Sequence, residues 1–332
     1  MALASIAGVA ASEYLRREVT DQAPPDPMGG LHELAEPTEI LPIDSLTLSS
    51  GDRLLRRVLE TLERRPVVAS RVRQRIHLDD QELSGAGVYF QKGVGKQRRT
   101  RWEIQSRGTD GAASLLQVLE DGRYLWTDRL LNGRRRVTRV DLNRLRTALY
   151  SQPRDGNSGV DVDPELAMVL SRGGLSQLIA ELSRQMQFAL INSQSTQKAE
   201  WLTLVGRWKP SALNRIWPHA DAEGSRWPKQ LPQRVVLQVK SADLFPYVIE
   251  YHNDQGSDAS TAAGDDADGE PLGRFEFYEV QFAGAVDDRH FAYAPGAIQW
   301  SDVTSDVLRR LRTPAIPAMV AVDRTKRRPS PR

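Results

Sequence analysis

No cysteine occurs among the 332 residues. That excludes a disulfide framework, a thiolate metal site and a cysteine nucleophile, and it fits either redox compartment. No run approaches the ~20 apolar residues that span a bilayer as a helix. Neither sign of charge dominates: 45 Lys and Arg against 43 Asp and Glu leave a net charge of +2, too balanced to demand a polyanionic partner. His32, His77, His219, His252 and His290 show neither His-Glu-x-x-His spacing nor clustering, so zinc chemistry is unsupported. A Gly-x-Ser-x-Gly nucleophile turn is missing as well. Gly93-Val94-Gly95-Lys96 hints at a phosphate loop, but Phe90 stands where glycine is needed and Gln97 where Ser or Thr is needed. Asp79-Asp80 and Asp287-Asp288 read as turn residues. A glycosidase needs two acids without a local motif, so that class stays open.

What is present is a ladder of short strands between Gly87 and Asp141. Gly87–Gln91, Arg101–Gln105, Leu115–Leu119, Arg123–Thr127 and Arg136–Val140 are apolar or alternating runs. Asp121-Gly122 and Asn132-Gly133 separate the last three, and such dipeptides tolerate the positive φ of tight hairpin turns, which predicts an antiparallel meander. Before it, Leu54, Leu55, Val58, Leu59 and Leu62 have helical spacing, with Ser50 or Asp52 as N-cap and Pro66 as terminator. From Val68 the period becomes two: Val68, Val72, Ile76 and Leu78 face one way, and Arg71, Arg73, Arg75 and His77 the other.

After the meander, Asp141 caps a short helix to about Leu149, and Asp155–Gly159 is a loop. Asp163–Leu170 reads as a helix broken at Gly173-Gly174, and Leu175, Leu178, Ile179, Leu182, Met186 and Leu190 share one face of a second helix. Strands resume at Trp201–Val205, Gln233–Lys240, Pro246–Tyr251 and Gly273–Phe282. Lys209–Pro232 is expected to be an irregular surface excursion, Asp254–Gly269 a disordered acidic loop, Ser301–Leu311 a short helix, and Thr313–Arg332 a mobile basic tail. Residues 12–50 read as a Pro-rich linker. For Ala2–Ala11 three readings stay open: the end of a signal peptide whose start lies upstream, an anchor remnant, or a helix cap. The division expected is 1–50 as apolar segment and linker, 51–312 as the folded domain, and 313–332 as tail.

Asp121-Gly122-Arg123-Tyr124-Leu125-Trp126, preceded by a strand with Trp102 and followed by a basic strand ending in Val140-Asp141, resembles the periplasmic outer-membrane lipoprotein carrier (lipoprotein-sorting, Lol-type) family. His290–Ala297 resembles that family's closing strand and the Pro-Gly segment after it. The resemblance implies an α+β fold, an antiparallel open (incomplete) β-barrel with a helical lid, the lid helices lying at about 163–191. It also implies lipid chains held in the hollow, without catalysis, metal or cofactor, by a monomer in the periplasm or cell envelope. Partners would be an acylated lipoprotein or lipid, an inner-membrane release complex and an outer-membrane acceptor, with no nucleic acid.

Trp102 with Ile104, Tyr124 with Trp126, Tyr247 with Ile249 and Phe275 with Phe277 alternate with polar neighbours. The expected lipid-binding set is therefore Trp102, Ile104, Tyr124, Trp126, Leu175, Leu178, Ile179, Leu182, Met186, Phe275 and Phe277. Filling of the hollow by these same side chains remains an equal reading. In the family a basic residue just before the third-strand aromatic latches the lid, and Arg98, Arg99 and Arg101 resemble it, although the following proline is absent. Two other functions stay open: an envelope structural or signalling module with a filled hollow, and an RNA-binding protein using Arg134, Arg135, Arg136 and the tail.

Overall fold

The computed structural model describes residues 45–312 apart from 79–80, 109–110, 112, 132, 151–172, 197–198, 218–226, 229–230 and 254–269. The readings made for residues 1–44, Asp79-Asp80, Asp155–Gly159, Asp163–Leu170, Asp254–Gly269 and the tail from Thr313 lie outside the described residues.

The meander forms as its turn chemistry requires. Strands β1 (Val67–Leu78), β2 (Gln81–Lys92), β3 (Arg99–Arg107), β4 (Ala113–Glu120), β5 (Tyr124–Leu131) and β6 (Arg134–Asp141) pair in succession, all antiparallel. At the β4–β5 turn Gly122 takes φ +96°, and the Asp121 carboxylate accepts from the Arg123 and Tyr124 amides at 2.9 and 2.7 Å. The rest of the sheet is built from β7 (Met186–Thr196), β8 (Ala199–Trp208), β9 (Arg234–Lys240), β10 (Pro246–His252), β11 (Gly273–Gln281) and β12 (Trp300–Asp302). The order is β12-β6-β5-β4-β3-β2-β1-β11-β10-β9-β8-β7, so β1 and β11 join the two halves and the ends do not pair with each other. β12 runs parallel to β6, and every other pairing is antiparallel.

The sheet is strongly curved. Trp102 on β3 and Phe275 on β11 are three strand spacings apart, about 14 Å on a flat sheet, yet their ring centroids lie 5.9 Å apart. Side chains on that face converge because it is concave. An open antiparallel sheet with helices in its hollow is thus the architecture of this chain.

Among the described residues, two helices occupy the middle of the concavity: α1 (Ser45–Arg64) and, beyond α2 (Leu142–Tyr150), α3 (Gly174–Gln185). α1 extends further N-terminally than the apolar spacing predicts, so Ser50 and Asp52 lie within it rather than capping it. The Asp52 carboxylate instead accepts the Phe188 amide of β7 at 2.8 Å, tying α1 to the outermost strand. Asp141 does cap α2, accepting the Arg144 amide at 3.0 Å.

The expected helix through Met186 and Leu190 is corrected. α3 stops at Gln185, and Met186 takes extended angles (φ −121°, ψ 153°) as the first residue of β7. Spacings of four residues satisfy both a helical face and an alternating strand, so Met186 and Leu190 are compatible with either. Phe188, two residues on, fits the strand alone, and both it and Met186 are fully buried. Lys209–Pro232 also carries more structure than predicted: Pro210–Ile216 forms helix α4, with proline in its first turn.

The C-terminal part departs most from expectation. His290–Ala297 forms no closing strand; Asp288–Phe291 is a 3₁₀ turn capped by Asp287, and the chain then crosses the convex face to reach β12. The terminal helix α5 starts at Thr304 and ends at Arg312, with the Asp302 carboxylate accepting the Thr304 amide at 3.0 Å. None of the described helices is long and apolar enough to cross a membrane.

Candidate functional site

The concave wall is aromatic. Tyr89 stands between Trp102 and Phe277, edge-to-face with both at 5.9 and 6.3 Å between centroids. Trp102 also meets Phe277 at 5.7 Å, and Phe245 closes the far side of Phe277 at 5.7 Å. Strand alternation places these rings: Ser70, Tyr89, Trp102, Val118 and Thr127 form one row across β1 to β5, on the face that the helices cover.

Against the wall lie Leu54, Leu55, Val58 and Leu62 of α1 and Leu175, Leu178, Ile179 and Leu182 of α3, in one continuous cluster with Ile104, Phe275, Phe277 and Met186. Burying each aliphatic side chain is worth about 1.5–3 kcal/mol. The aromatic rings are closed off: Trp102, Phe275 and Phe277 are 4, 1 and 3% exposed.

α3 is seated over the sheet by polar contacts at its N-terminus. Its first residue, Gly174, has φ +58°, and the preceding Gly173 offers no capping side chain. The Leu175 amide donates to the Tyr89 hydroxyl at 3.3 Å, and Arg98 Nη1 donates to Ser176 Oγ at 3.3 Å. Tyr89 in turn donates to Gln91 Oε1 at 3.0 Å, whose amide nitrogen donates to the Leu62 and Arg65 carbonyls at the end of α1. One buried relay therefore links both helices to β2. Burial pushes the Tyr89 hydroxyl up to about 12, with Arg98 and the Leu175 amide pulling the other way.

Below the same helix end, Gln91, Thr100, Glu120, Leu125 and Val140 form the next concave row, its members paired strand to strand. Glu120 is 1% exposed; Arg146 of α2 donates to its Oε1 at 3.4 Å, while Oε2 has no hydrogen-bond partner. At the far end of this row, Leu125 and Val140 join Leu142 and Leu145 of α2 and Val307 and Leu308 of α5 in a separate apolar cluster.

No protein-family model matches the sequence, and no curated protein matches it. Among solved structures, an uncharacterized conserved protein from Thermus thermophilus is 12% identical over 76% of this chain and 98% of its own, with a TM-score of 0.38. A putative outer membrane lipoprotein-sorting protein domain from Vibrio parahaemolyticus is 10% identical over 79% of this chain and 100% of its own, TM-score 0.29. Mycobacterium tuberculosis lipoprotein LppX is 12% identical over 72% and 99%, TM-score 0.32. The likeness is one of fold.

Of the expected lipid-binding residues, the structure brings together Trp102, Ile104, Leu175, Leu178, Ile179, Leu182, Met186, Phe275 and Phe277. Tyr124 and Trp126 are corrected. Trp126 pairs with Leu119 and Arg139 in the row of Phe90 and Arg101, one residue out of step with Trp102 and hence on the convex face. There Leu119, Trp126 and Val137 are covered by Tyr293 and Ile298 of the crossing segment. Arg139 sits over Tyr124 and Trp300, 4.4 and 4.3 Å from their centroids, and donates to Asp302 at 2.8 Å.

The latch candidates divide in the same way. Arg98 is 5% exposed and reaches α3. Arg99 donates to Asp288 at 3.1 Å and Arg101 to the His290 carbonyl at 3.2 Å, so both hold the crossing segment on the convex side. Arg135, named for RNA contact, is committed to Asp128 at 2.9 and 2.6 Å. Sequence reading missed Tyr89, Phe188, Phe245 and Glu120. Tyr89 and Gln91 carried a signal, alternating with Gly87 along β2; Glu120 carried none, because an acidic residue before Asp-Gly reads as part of a turn.

Proposed function

We propose that the chain is a non-enzymatic carrier that binds acyl chains of lipoproteins or related lipids against the concave sheet and passes them between envelope membranes. One observation carries this reading: a wall of aromatic rings is covered, next to α1, by a 12-residue helix whose entry is a Gly-Gly step seated by Arg98 and Tyr89. Lifting α3 would uncover the β3 and β4 side of that wall, where Trp102 stands, and free the space of four aliphatic side chains. An acyl chain gains about 0.8 kcal/mol per CH₂ on leaving water, and nearly the same in a membrane. Exchange between the two is then close to neutral, and the seating of α3 decides capture or release.

In this reading Arg98 is the latch, and the partners are a release complex at the inner membrane and an acceptor at the outer membrane. The test is mass spectrometry of protein purified without detergent. Wild type should copurify lipid. Leu178→Asp, with a carboxylate on the buried side of α3, should load none, and Arg98→Leu should load and fail to pass lipid to acceptor vesicles. Loading by folded Leu178→Asp equal to wild type would overturn the carrier.

A second reading has its own support, since the rings are packed by helices with no gap left at Trp102, Phe275 or Phe277. The protein would then be an envelope structural or signalling module with a permanently filled hollow. Absence of lipid from wild type and both variants favours it.

A further inference from the structure

We propose that Glu120 sets how firmly α3 is seated, so that α3 loosens from the sheet when this carboxyl ionises. The inference deepens the carrier reading, because it treats α3 as a movable cover, but it requires no particular cargo.

The geometry is a carboxyl group trapped beneath a helix end. Glu120 Oε2 lies so close to Gly173 that a Cβ there would come within 1.8 Å of it, and a Cβ on Gly174 would meet the Tyr89 hydroxyl at 2.9 Å. A side chain at either glycine would have to displace Glu120 or Tyr89 for the helix to sit down here. Among the described residues, the charged and titratable groups facing Glu120 are Arg98 from the lead into β3, Arg146 from α2, Tyr89 from β2 and Asp121 in its own turn. Among the described residues neither arginine hydrogen-bonds Oε2 and Arg98 Nε is buried without a partner, while the Thr100 hydroxyl beside the carboxyl favours its charged form. The polar row is under-satisfied for as long as α3 covers it.

An ionised carboxylate in such a place is costly unless fully hydrogen-bonded. Arg98, Arg146 and the positive end of α3 favour the charge, but burial outweighs them. With α3 seated, burial pushes the Glu120 carboxyl from 4.5 up to about 7, against Arg98 and Arg146 and with a small addition from Asp121. With α3 lifted, the group returns toward its ordinary value. The seated state thus holds the proton more tightly. Its stabilisation by protonation is complete below pH 4.5 and is lost as pH rises through about 7.

Hydrogen exchange of the segment Gly174–Gln185, corrected for the intrinsic pH dependence of amide exchange, reads this seating without any lipid. In wild type the opening constant of the helix should rise about tenfold between pH 6 and pH 8. Glu120→Gln, neutral and of the same shape, should remove the rise and keep the helix protected. Arg146→Gln, which leaves the contacts of α3 untouched, should move the rise to higher pH, since Arg146 holds the carboxyl down. A flat wild-type profile, or a rise retained in Glu120→Gln, overturns the proposal. If lipid never copurifies yet the rise is present and depends on Glu120, the switch stands and the cargo reading falls.

Discussion

At the scale of single residues, one position in a two-residue repeat separates the two faces of the sheet. Trp102 and Trp126 both alternate with polar neighbours, yet pairing puts Trp102 opposite Val118 and Trp126 opposite Leu119. They therefore point to opposite sides. Trp126→Asp is expected to free the crossing segment from the convex face, seen as increased proteolysis between Asp288 and Trp300, while lipid copurification persists in the folded protein. Loss of lipid from a folded Trp126→Asp variant would return that ring to the hollow. Gly174 is the other residue on which much rests. Its left-handed φ of +58° disfavours any side chain, and the space is already filled by Tyr89. Gly174→Ala should lower unfolding free energy in urea by at least about 1–2 kcal/mol, whereas an unchanged midpoint and slope would mean that α3 enters the fold differently.

Among the elements, the contrast lies between helices that fill the hollow and the segments that wrap the outside. α1 is anchored from Asp52 to Leu62, by its apolar face and by the bond of Asp52 to β7. α3 is shorter and is held at both ends, by Arg98 and Tyr89 at its start and at its close by Lys209, whose amide and ammonium donate to the Gln185 and Ser183 carbonyls. The N-terminal end, which rests on Glu120 and Arg98, is the part of α3 expected to lift. The β12–α5 junction is held differently, by an ionised carboxylate. Burial tends to raise the Asp302 carboxyl, but hydrogen bonds from Thr304 and Arg139 outweigh it and hold the group down at about 2. A depressed carboxyl stabilises the folded form above its unfolded value near 3.8, and this contribution is lost as pH falls through about 2. The difference in Tm between wild type and Asp302→Asn should therefore be largest at pH 5 and shrink toward pH 2. A difference constant over that range would show that the ion pair with Arg139 does not hold the junction.

For the whole molecule, the sheet is continuous from β12 to β7, and its curvature wraps an antiparallel meander around the helices packed on its concave face. The joint is β1 with β11, where Val72 pairs with Phe277 and Gln74 with Phe275. These partners lie some two hundred residues apart in the chain, and no local pattern predicts their pairing. Most of the strands, the β4–β5 turn, the apolar stripe of α1 and the capping of α2 were legible from the sequence, because each depends on interactions within a few residues, whereas β7 and β12 fall where helix was expected. So was the membership of Trp102, Ile104, Phe275, Phe277 and the α3 leucines in one apolar set. The tertiary structure alone decided which face each alternating pair occupies, where α3 yields to β7, and that Arg98 rather than Arg99 or Arg101 meets the helix. It also brought Glu120 beneath Gly173, since a buried charge is made by surroundings that arrive from distant parts of the chain. Local periodicity determined the elements of this protein; registry, curvature and burial, which are properties of assembled strands, decided where its chemistry sits.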